Sequence, residues 1–220
     1  PDFVMGCKRI LISNKYFPTF NRKNVELVTD AIQEITANGI ITKDGKERQI
    51  DCLIYGTGFI TDPRIYLKHF DCVGRNGIEL KQAWKDGAES YYGIVTKNFP
   101  NLFQLLGPNT ILGHNSVIFM IESQVNYILQ LIQTVDKTAT QAIEIKHDVQ
   151  VQFNERVQEQ LKGTVWQAGG CSSWYQAADG KNFSLWPTYT WKYWLETRKA
   201  NVADYNFMSN DAKQSKKQVA

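Results

Sequence analysis

Long apolar runs are missing from this 220-residue chain, and none approaches the roughly 20 residues that a membrane-spanning helix needs. Nor does it open on the basic and apolar leader of a secreted protein. Charge of one sign is missing too. The 25 basic and 22 acidic residues are spread along the chain and leave a net charge of +3, so neither nucleic acid nor an anionic membrane is expected as a partner. Metal ligands are few: four cysteines (Cys7, Cys52, Cys72, Cys171) and three histidines (His69, His114, His147) fall at no ligand-like spacing. No metal site is expected, and the cysteines read as buried free thiols in a reducing compartment, by default the cytoplasm. A starting methionine is absent, and with Pro1 in its place the chain is expected to be a fragment or a processed product. What is present is apolar material, 43% of residues with 12% aromatic, enough for a core in one large or two small domains.

The chain is organised around residues 103–133. The apolar run Phe103 to Leu106 leads into Gly107-Pro108-Asn109, then Gly113-His114-Asn115-Ser116, then a long apolar segment. From Val117 to Val135 the apolar residues form a block and then recur at Val125, Ile128, Leu129, Leu131, Ile132 and Val135, which predicts a core helix buried nearly all round. Asn115 or Ser116 would be its N-cap. Glycines at 107 and 113 would let backbone approach a ligand, and the helix start would favour an anion. The same pattern also suits a plain turn between a strand and a core helix.

Before this stretch, strands are predicted at Lys8 to Ser13, at Val25 to Val28 with a weak continuation at Ile32 to Ile35, and in a hairpin over Gly39 to Ile50 turning at Asp44-Gly45. The run Ile50-Asp51-Cys52-Leu53-Ile54-Tyr55 reads as a strand buried in a parallel sheet and ending on Gly56-Thr57-Gly58-Phe59, the end at which open α/β sheets bind nucleotides. Ile94-Val95 and Phe103 to Leu106 read as strands around an Asn98-Phe99-Pro100-Asn101 turn, and Ala142 to Ile145 as another. A second helix is predicted from Asp148, as N-cap, to Leu161, with Gly163 ending it. Five of the six tryptophans follow (Trp166, Trp174, Trp186, Trp191, Trp194), and beyond Phe207 the polar composition predicts a disordered tail.

Taken together, these residues resemble a known family over nearly the whole chain. Asp51 to Phe59 resembles the strand-and-glycine motif that joins the two dinucleotide-binding domains of class B flavoprotein monooxygenases. Gly107-Pro108-Asn109, Gly113-His114-Asn115-Ser116 and Ile121-Glu122-Ser123-Gln124 are similar to its flavin-side loop and helix. Cys171-Ser172-Ser173-Trp174-Tyr175, Asn182 and Leu185-Trp186-Pro187 are similar to the C-terminal region of its Baeyer–Villiger branch. The resemblance implies an α/β fold, the C-terminal portion of a Rossmann-like flavoprotein with two dinucleotide-binding domains, mixed short strands and two main helices. It implies residues 1–55 as the end of an NADPH domain, 56–162 as linker and return to an FAD domain, 163–208 as a lid and aromatic cap, and 209–220 as the tail. The implied activity inserts one oxygen of O2 into a ketone to give an ester or lactone, with FAD and NADPH. The family's glycine-rich FAD and NADPH fingerprints and the signature between them are absent from this sequence, so the missing N-terminal part of the same enzyme is an expected partner. Gly56 also stands where the family usually has alanine.

The resemblance further implies residue roles. Lys8 would meet the 2′-phosphate of NADPH, and Arg9 would lie over the flavin and hold the anion formed from O2, which suits a charge that cannot be lost. Gly56, Thr57, Gly58 and Asn109 would line the cofactor, Asn115 and Ser116 the flavin pyrimidine, and Trp174 the nicotinamide from a mobile loop over Gly163 to Tyr175. His114 has no catalytic role in this reading, and Trp186, Trp191 and Trp194 would pack a core. Two alternatives stay open: nitrogen or sulfur oxygenation by the same cofactors, and a non-catalytic fragment or interaction module.

Overall fold

The computed structural model describes residues 2–69, 71–113 and 115–209, so His114 and the expected tail from residue 210 on lie outside the described residues. The described chain divides into two units, one of Pro1–Arg9 with Ile60–Ala220 and one of Ile10–Phe59.

In the smaller unit a single helical turn, α1 (Tyr16–Thr19), precedes three strands, β1 (Ile32–Ile35), β2 (Gly39–Thr42) and β3 (Glu47–Gln49). They form an antiparallel sheet in sequence order. The hairpin turns at the expected place, where Gly45 takes φ of +81° and its N–H donates to the Thr42 carbonyl at 2.8 Å. Gly39 is required: a Cβ there would lie 2.3 Å from the Arg48 carbonyl oxygen across the ladder. The strands expected at Lys8 to Ser13, Val25 to Val28 and Ile50 to Tyr55 do not form. A strand needs a neighbour for its N–H and C=O groups, and a parallel one needs both faces covered. No described strand pairs with these segments, and Ile12 and Ile54 stand 97% and 87% exposed.

Among its described residues the larger unit holds six α-helices, α2 (Pro63–Tyr66), α3 (Leu80–Ala83), α4 (Val117–Thr138), α5 (His147–Lys162), α6 (Val165–Ala168) and α7 (Thr190–Thr197), with a two-stranded antiparallel sheet of β4 (Ala142–Ile145) and β5 (Tyr205–Met208). Asp62 caps α2 by accepting from the Arg64 N–H at 2.9 Å, and the Arg64 guanidinium pairs with the same carboxylate and with Asp179. The strands expected at Ile94-Val95 and Phe103 to Leu106 reduce to isolated bridges, Tyr91 with Val95 and Val95 with Phe103. Left-handed residues at Tyr92, Asn98, Asn101 and Leu106 bend the chain too often for a ladder to extend.

Helix α4 starts where the periodicity predicts, but it is buried on one face only. Met120, Ser123, Gln124, Tyr127 and Leu131 face the core, whereas Ile118, Val125, Leu129 and Ile132 are exposed. Helix α5 starts one residue before Asp148, with Lys146 at the cap position and no side-chain cap bond; Gly163 ends it as expected. Around them a single cluster gathers Tyr91, Tyr92, Ile94, Tyr127, Phe153, Trp186, Tyr193 and Tyr205. The polar tips are satisfied inside it: the Tyr193 hydroxyl donates to the Tyr92 carbonyl at 2.6 Å, the Tyr91 hydroxyl to Asp204 at 2.8 Å, and Tyr127 and Tyr205 meet hydroxyl to hydroxyl at 2.9 Å. Of the tryptophans expected in the core only Trp186 is buried there. Trp191 and Trp194 lie on the outer side of α7, where Trp191 stacks on Tyr189 and Arg198 covers the Trp194 ring.

The cysteines also depart from expectation. Cys7 and Cys171 form a disulfide across 164 residues, Cys52 is exposed outside any strand, and only Cys72 is a partly buried free thiol, its pKa pushed up by burial. Spacing along the chain carries no information on such a pairing, because the two sulfurs meet only when segments distant in sequence fold together. Trp186 tests the core assignment: Trp186→Ala should destabilise the fold by about 3–5 kcal/mol in chemical denaturation, since the ring fills the centre of the cluster.

Candidate functional site

The loop between Leu106 and Ser116 is held by three elements at once. From α4, the fully buried Gln124 accepts the Leu106 N–H at 2.9 Å and donates to the Tyr92 carbonyl at 3.4 Å. From the turn before it, Gly93 sits so close that a Cβ on Gly107 would lie 2.5 Å from the Gly93 carbonyl oxygen. The glycine at 107 therefore serves a backbone crossing within the protein, not the approach to a ligand that its sequence context suggested. From the C-terminal segment, residues 182–186 run alongside the loop. The Asn109 N–H donates to the Phe183 carbonyl at 2.7 Å, the Ile111 N–H to Ser184 at 2.9 Å, and the Trp186 N–H to Ile111 at 2.8 Å.

Asn109 is the centre of this joint. It is buried with φ of +58°, and its amide donates to the carbonyls of Asn182 at 2.8 Å and Leu185 at 3.0 Å. Its Oδ1 is buried without a partner among the described residues. Asn115 repeats the pattern: Nδ2 donates to the Thr190 hydroxyl at 2.7 Å, and Oδ1 is buried without a partner among the described residues. Ser116 occupies the N-cap position of α4 but is exposed and makes no side-chain cap bond, so the first N–H groups of the helix are left uncapped. Two unpaired acceptors and a row of uncapped donors thus stand at one loop and the helix that follows it. Such a set can take a flat polar ring that offers both N–H and C=O groups.

The remaining predicted residues are placed as follows. Lys8 and Arg9 are exposed, with the Lys8 ammonium 4.8 Å from the Phe3 ring centroid and no acidic partner for either among the described residues. Trp174 is 44% exposed, its ring tilted against Tyr175 at 5.9 Å, and its backbone carbonyl accepts from the Thr61 hydroxyl at 2.8 Å. Lys8, Arg9, Asn109, Asn115, Ser116 and Trp174 belong to the larger unit, whereas Gly56, Thr57 and Gly58 belong to the smaller one. There Gly58 has φ of +84°, and a Cβ on either glycine would meet open space.

Beside the loop lies a pocket of about 120 Å³ lined by Thr61, Trp84, Leu106, Pro108, Ile111 and Phe183 among others. That volume is well below the roughly 300–1,000 Å³ of a ligand site. Larger hollows of about 410 Å³, between α4 and α7, and about 490 Å³, between residues 72–75 and 99–102, include none of the predicted site residues. Buried titratable groups do not mark a site either. Burial pushes Tyr92 up to about 12 and Tyr91, Tyr127, Tyr193 and Tyr205 higher still, which keeps all five neutral as packing groups. Among the described residues no group of three or more His, Cys, Asp or Glu side chains is placed to hold a metal, and no helix is long and apolar enough to cross a membrane.

Sequence reading missed two parts of this arrangement: the pinning of the loop by Gln124, and the Asn182 to Trp186 strip that completes it. Both were present as motif residues, but pairing between segments about 75 residues apart has no local signal. The Asn109 joint should be sensitive. Asn109→Ala leaves the buried Leu185 carbonyl without a donor, while that of Asn182 keeps the Gln158 amide at 2.9 Å, so chemical denaturation should show a loss of about 1–3 kcal/mol, whereas Ser116→Ala should leave stability within about 0.5 kcal/mol.

No family model matches the chain. Curated relatives do. A Baeyer–Villiger monooxygenase of Pseudomonas aeruginosa is 41% identical over 97% of this chain and 42% of its own length. One of Streptomyces coelicolor is 38% identical over 94% of this chain and 40% of its own. Among solved structures, an oxidised steroid monooxygenase bound to NADP superposes with a TM-score of 0.81 at 26% identity, over 96% of this chain and 40% of that one. A cyclohexanone monooxygenase from Rhodococcus sp. Phi1 bound to NADP+ gives 0.77 at 26%, over 93% and 39%. The chain spans about two-fifths of the length of the curated relatives it matches. By sequence and by fold it is a homologue of the C-terminal part of the Baeyer–Villiger branch of the class B flavoprotein monooxygenases.

Proposed function

We propose that the chain is the C-terminal part of an FAD- and NADPH-dependent monooxygenase that inserts one oxygen of O2 into a ketone to give an ester or lactone. The observation that carries this reading is the 41% identity to a Baeyer–Villiger monooxygenase along 97% of the chain. Exposed apolar surface supports it: Ile10 to Ile12, Ile54, Tyr55, Phe59, Ile60 and the outward face of α4 are surfaces that the rest of a longer enzyme would cover. In the same reading residues 1–55 complete an NADPH domain, 56–162 return to an FAD domain and 163–208 form the lid and cap. The cytoplasm, which supplies NADPH, is the compartment that suits it.

The loop fits a flavin by its chemistry, with the unpaired Oδ1 of Asn109 and of Asn115 as acceptors and the uncapped start of α4, beside Ser116, as donors. When bound, FAD would supply O2 activation and NADPH the hydride that reduces it. The chain's own part is to bind and orient. Gly56, Thr57 and Gly58 offer backbone, and Gly58 takes a positive φ that glycine adopts without strain. Arg9, exposed and without an acidic partner among the described residues, would meet an oxygen anion, and Lys8 a phosphate. Trp174 would contact the nicotinamide cofactor through its indole N–H and shape the substrate pocket.

The reading is tested in the full-length protein, loaded with FAD and NADPH and given a simple cyclic ketone under ¹⁸O2. The expected product is a lactone carrying one ¹⁸O. Untouched ketone together with oxygenated amine or sulfide would move the chemistry to nitrogen or sulfur. Arg9→Ala should keep FAD yet lose lactone formation by roughly 100-fold or more, and a near wild-type rate would remove Arg9 from the mechanism.

Lys8 is tested separately. Lys8→Ala should raise KM for NADPH by roughly 5- to 150-fold and leave KM for NADH almost unchanged, because only NADPH carries the 2′-phosphate. Equal losses with both cofactors would make Lys8 a structural residue of the N-terminal segment.

A further inference from the structure

The bridge between Cys7 and Cys171 joins the N-terminal segment of the larger unit to the loop that follows α6. Cys7 is wholly buried and Cys171 half-buried, and neither lies in a helix or strand or belongs to the aromatic cluster. The contact around them is close. The Val4 N–H donates to the Gly169 carbonyl at 2.9 Å, and a Cβ on Gly169 would meet the Cβ and Sγ of Cys7, each at 2.9 Å. Gly170, with φ of +75°, then turns the chain into Cys171. Directly after Cys7 come Lys8 and Arg9, and three residues after Cys171 comes Trp174. One covalent bond therefore sets the basic pair against the loop that carries the tryptophan, and its loss would leave the hydrophobic core intact.

We propose that Cys7–Cys171 is a reversible thiol–disulfide site, opened by a dithiol reductant, and that opening it frees the 169–174 loop and weakens NADPH binding. The inference rests on the reading of Lys8 and Trp174 as cofactor-binding residues. The Cys171 sulfur is the accessible one, so a reductant thiolate attacks Cys171 Sγ. The S–S bond breaks and Cys7 leaves as a thiolate, which takes a proton from water. The reductant's second thiol then attacks the mixed disulfide, releases Cys171 and leaves the reductant oxidised. Two electrons and two protons are transferred to the protein in all.

The test uses the full-length, FAD-loaded protein, air-oxidised or treated with dithiothreitol. Differential alkylation with mass spectrometry should find Cys7 and Cys171 linked in the oxidised form and both alkylated in the reduced form. Without NADP, hydrogen exchange across residues 169–174 should be at least tenfold faster after reduction, and KM for NADPH should rise at least threefold. Cys7→Ser and Cys171→Ser should each show the reduced behaviour in both conditions, while Cys52→Ser should respond as wild type. Absence of the linked peptide, or equal exchange in the two forms, overturns the site. Faster exchange with unchanged KM overturns the coupling to cofactor if Lys8→Ala does impair NADPH use. Should Lys8→Ala leave NADPH use intact, it is the cofactor reading of Lys8 that fails, and alkylation and exchange still decide the bridge.

Discussion

Everything in the larger unit depends on one buried joint, the amide of Asn109 held between the carbonyls of Asn182 and Leu185. Buried carbonyls must find donors, and here two of them, from the C-terminal segment, find the same side chain on the central loop. The joint brings residues 182–186 into register with residues 109–111, delivers Trp186 to the centre of the aromatic cluster, and so fixes where α4 begins. Gln124 closes the arrangement from the helix side by accepting the Leu106 N–H. A loop gripped from three sides moves little. The polar groups it leaves unpaired are therefore held in position before any ligand arrives, which lowers the ordering cost of binding.

That rigidity contrasts with the smaller unit. Its three strands hold together by ladder bonds, the Asp44 turn, an exposed ion pair of Glu26 with Lys46, worth little in water, and a long contact of Glu26 with the half-buried Arg48. The Thr42 hydroxyl, followed by the Lys46 N–H, holds the Asp44 carboxyl below its usual pKa, a local turn effect with no sign of a site. Almost no apolar side chain is buried there, although the sequence supplies many. Isoleucines at 10, 12 and 54 remain exposed with no strand partner among the described residues, and those at 32 and 35 are paired in β1 yet remain exposed. In the relatives, more than half of the length lies outside the region this chain matches.

The disulfide adds a different kind of constraint. It acts between loops, so it bears on the placement of Lys8, Arg9 and Trp174 more than on the survival of the core. The segment from Gly163 to Tyr175 has the glycines of a mobile lid, yet α6 and the Val4 to Gly169 bond already dock part of it. Farther on, the Trp174 carbonyl is tied at the Thr61 hydroxyl.

By itself the sequence determined what is local. Helix periodicity located α4 and α5, a glycine turn located the β2–β3 hairpin, and short motifs carried the family resemblance, because each depends on residues near one another in the chain. It also overstated what those patterns could do alone. An apolar run such as Ile50 to Tyr55 is competent to be a buried strand, but a strand exists only where a partner offers hydrogen bonds and cover. The apolar residues of α4 could not reveal that half of them would face outward. Only the tertiary structure decided which polar groups were satisfied and which were left open: the donors of Asn109, the acceptors of Asn109 and Asn115, the burial of Trp186 against the exposure of Trp191, and the pairing of Cys7 with Cys171. Each is a contact between segments distant in sequence. Such contacts follow from how the elements pack, and no spacing along the chain encodes them.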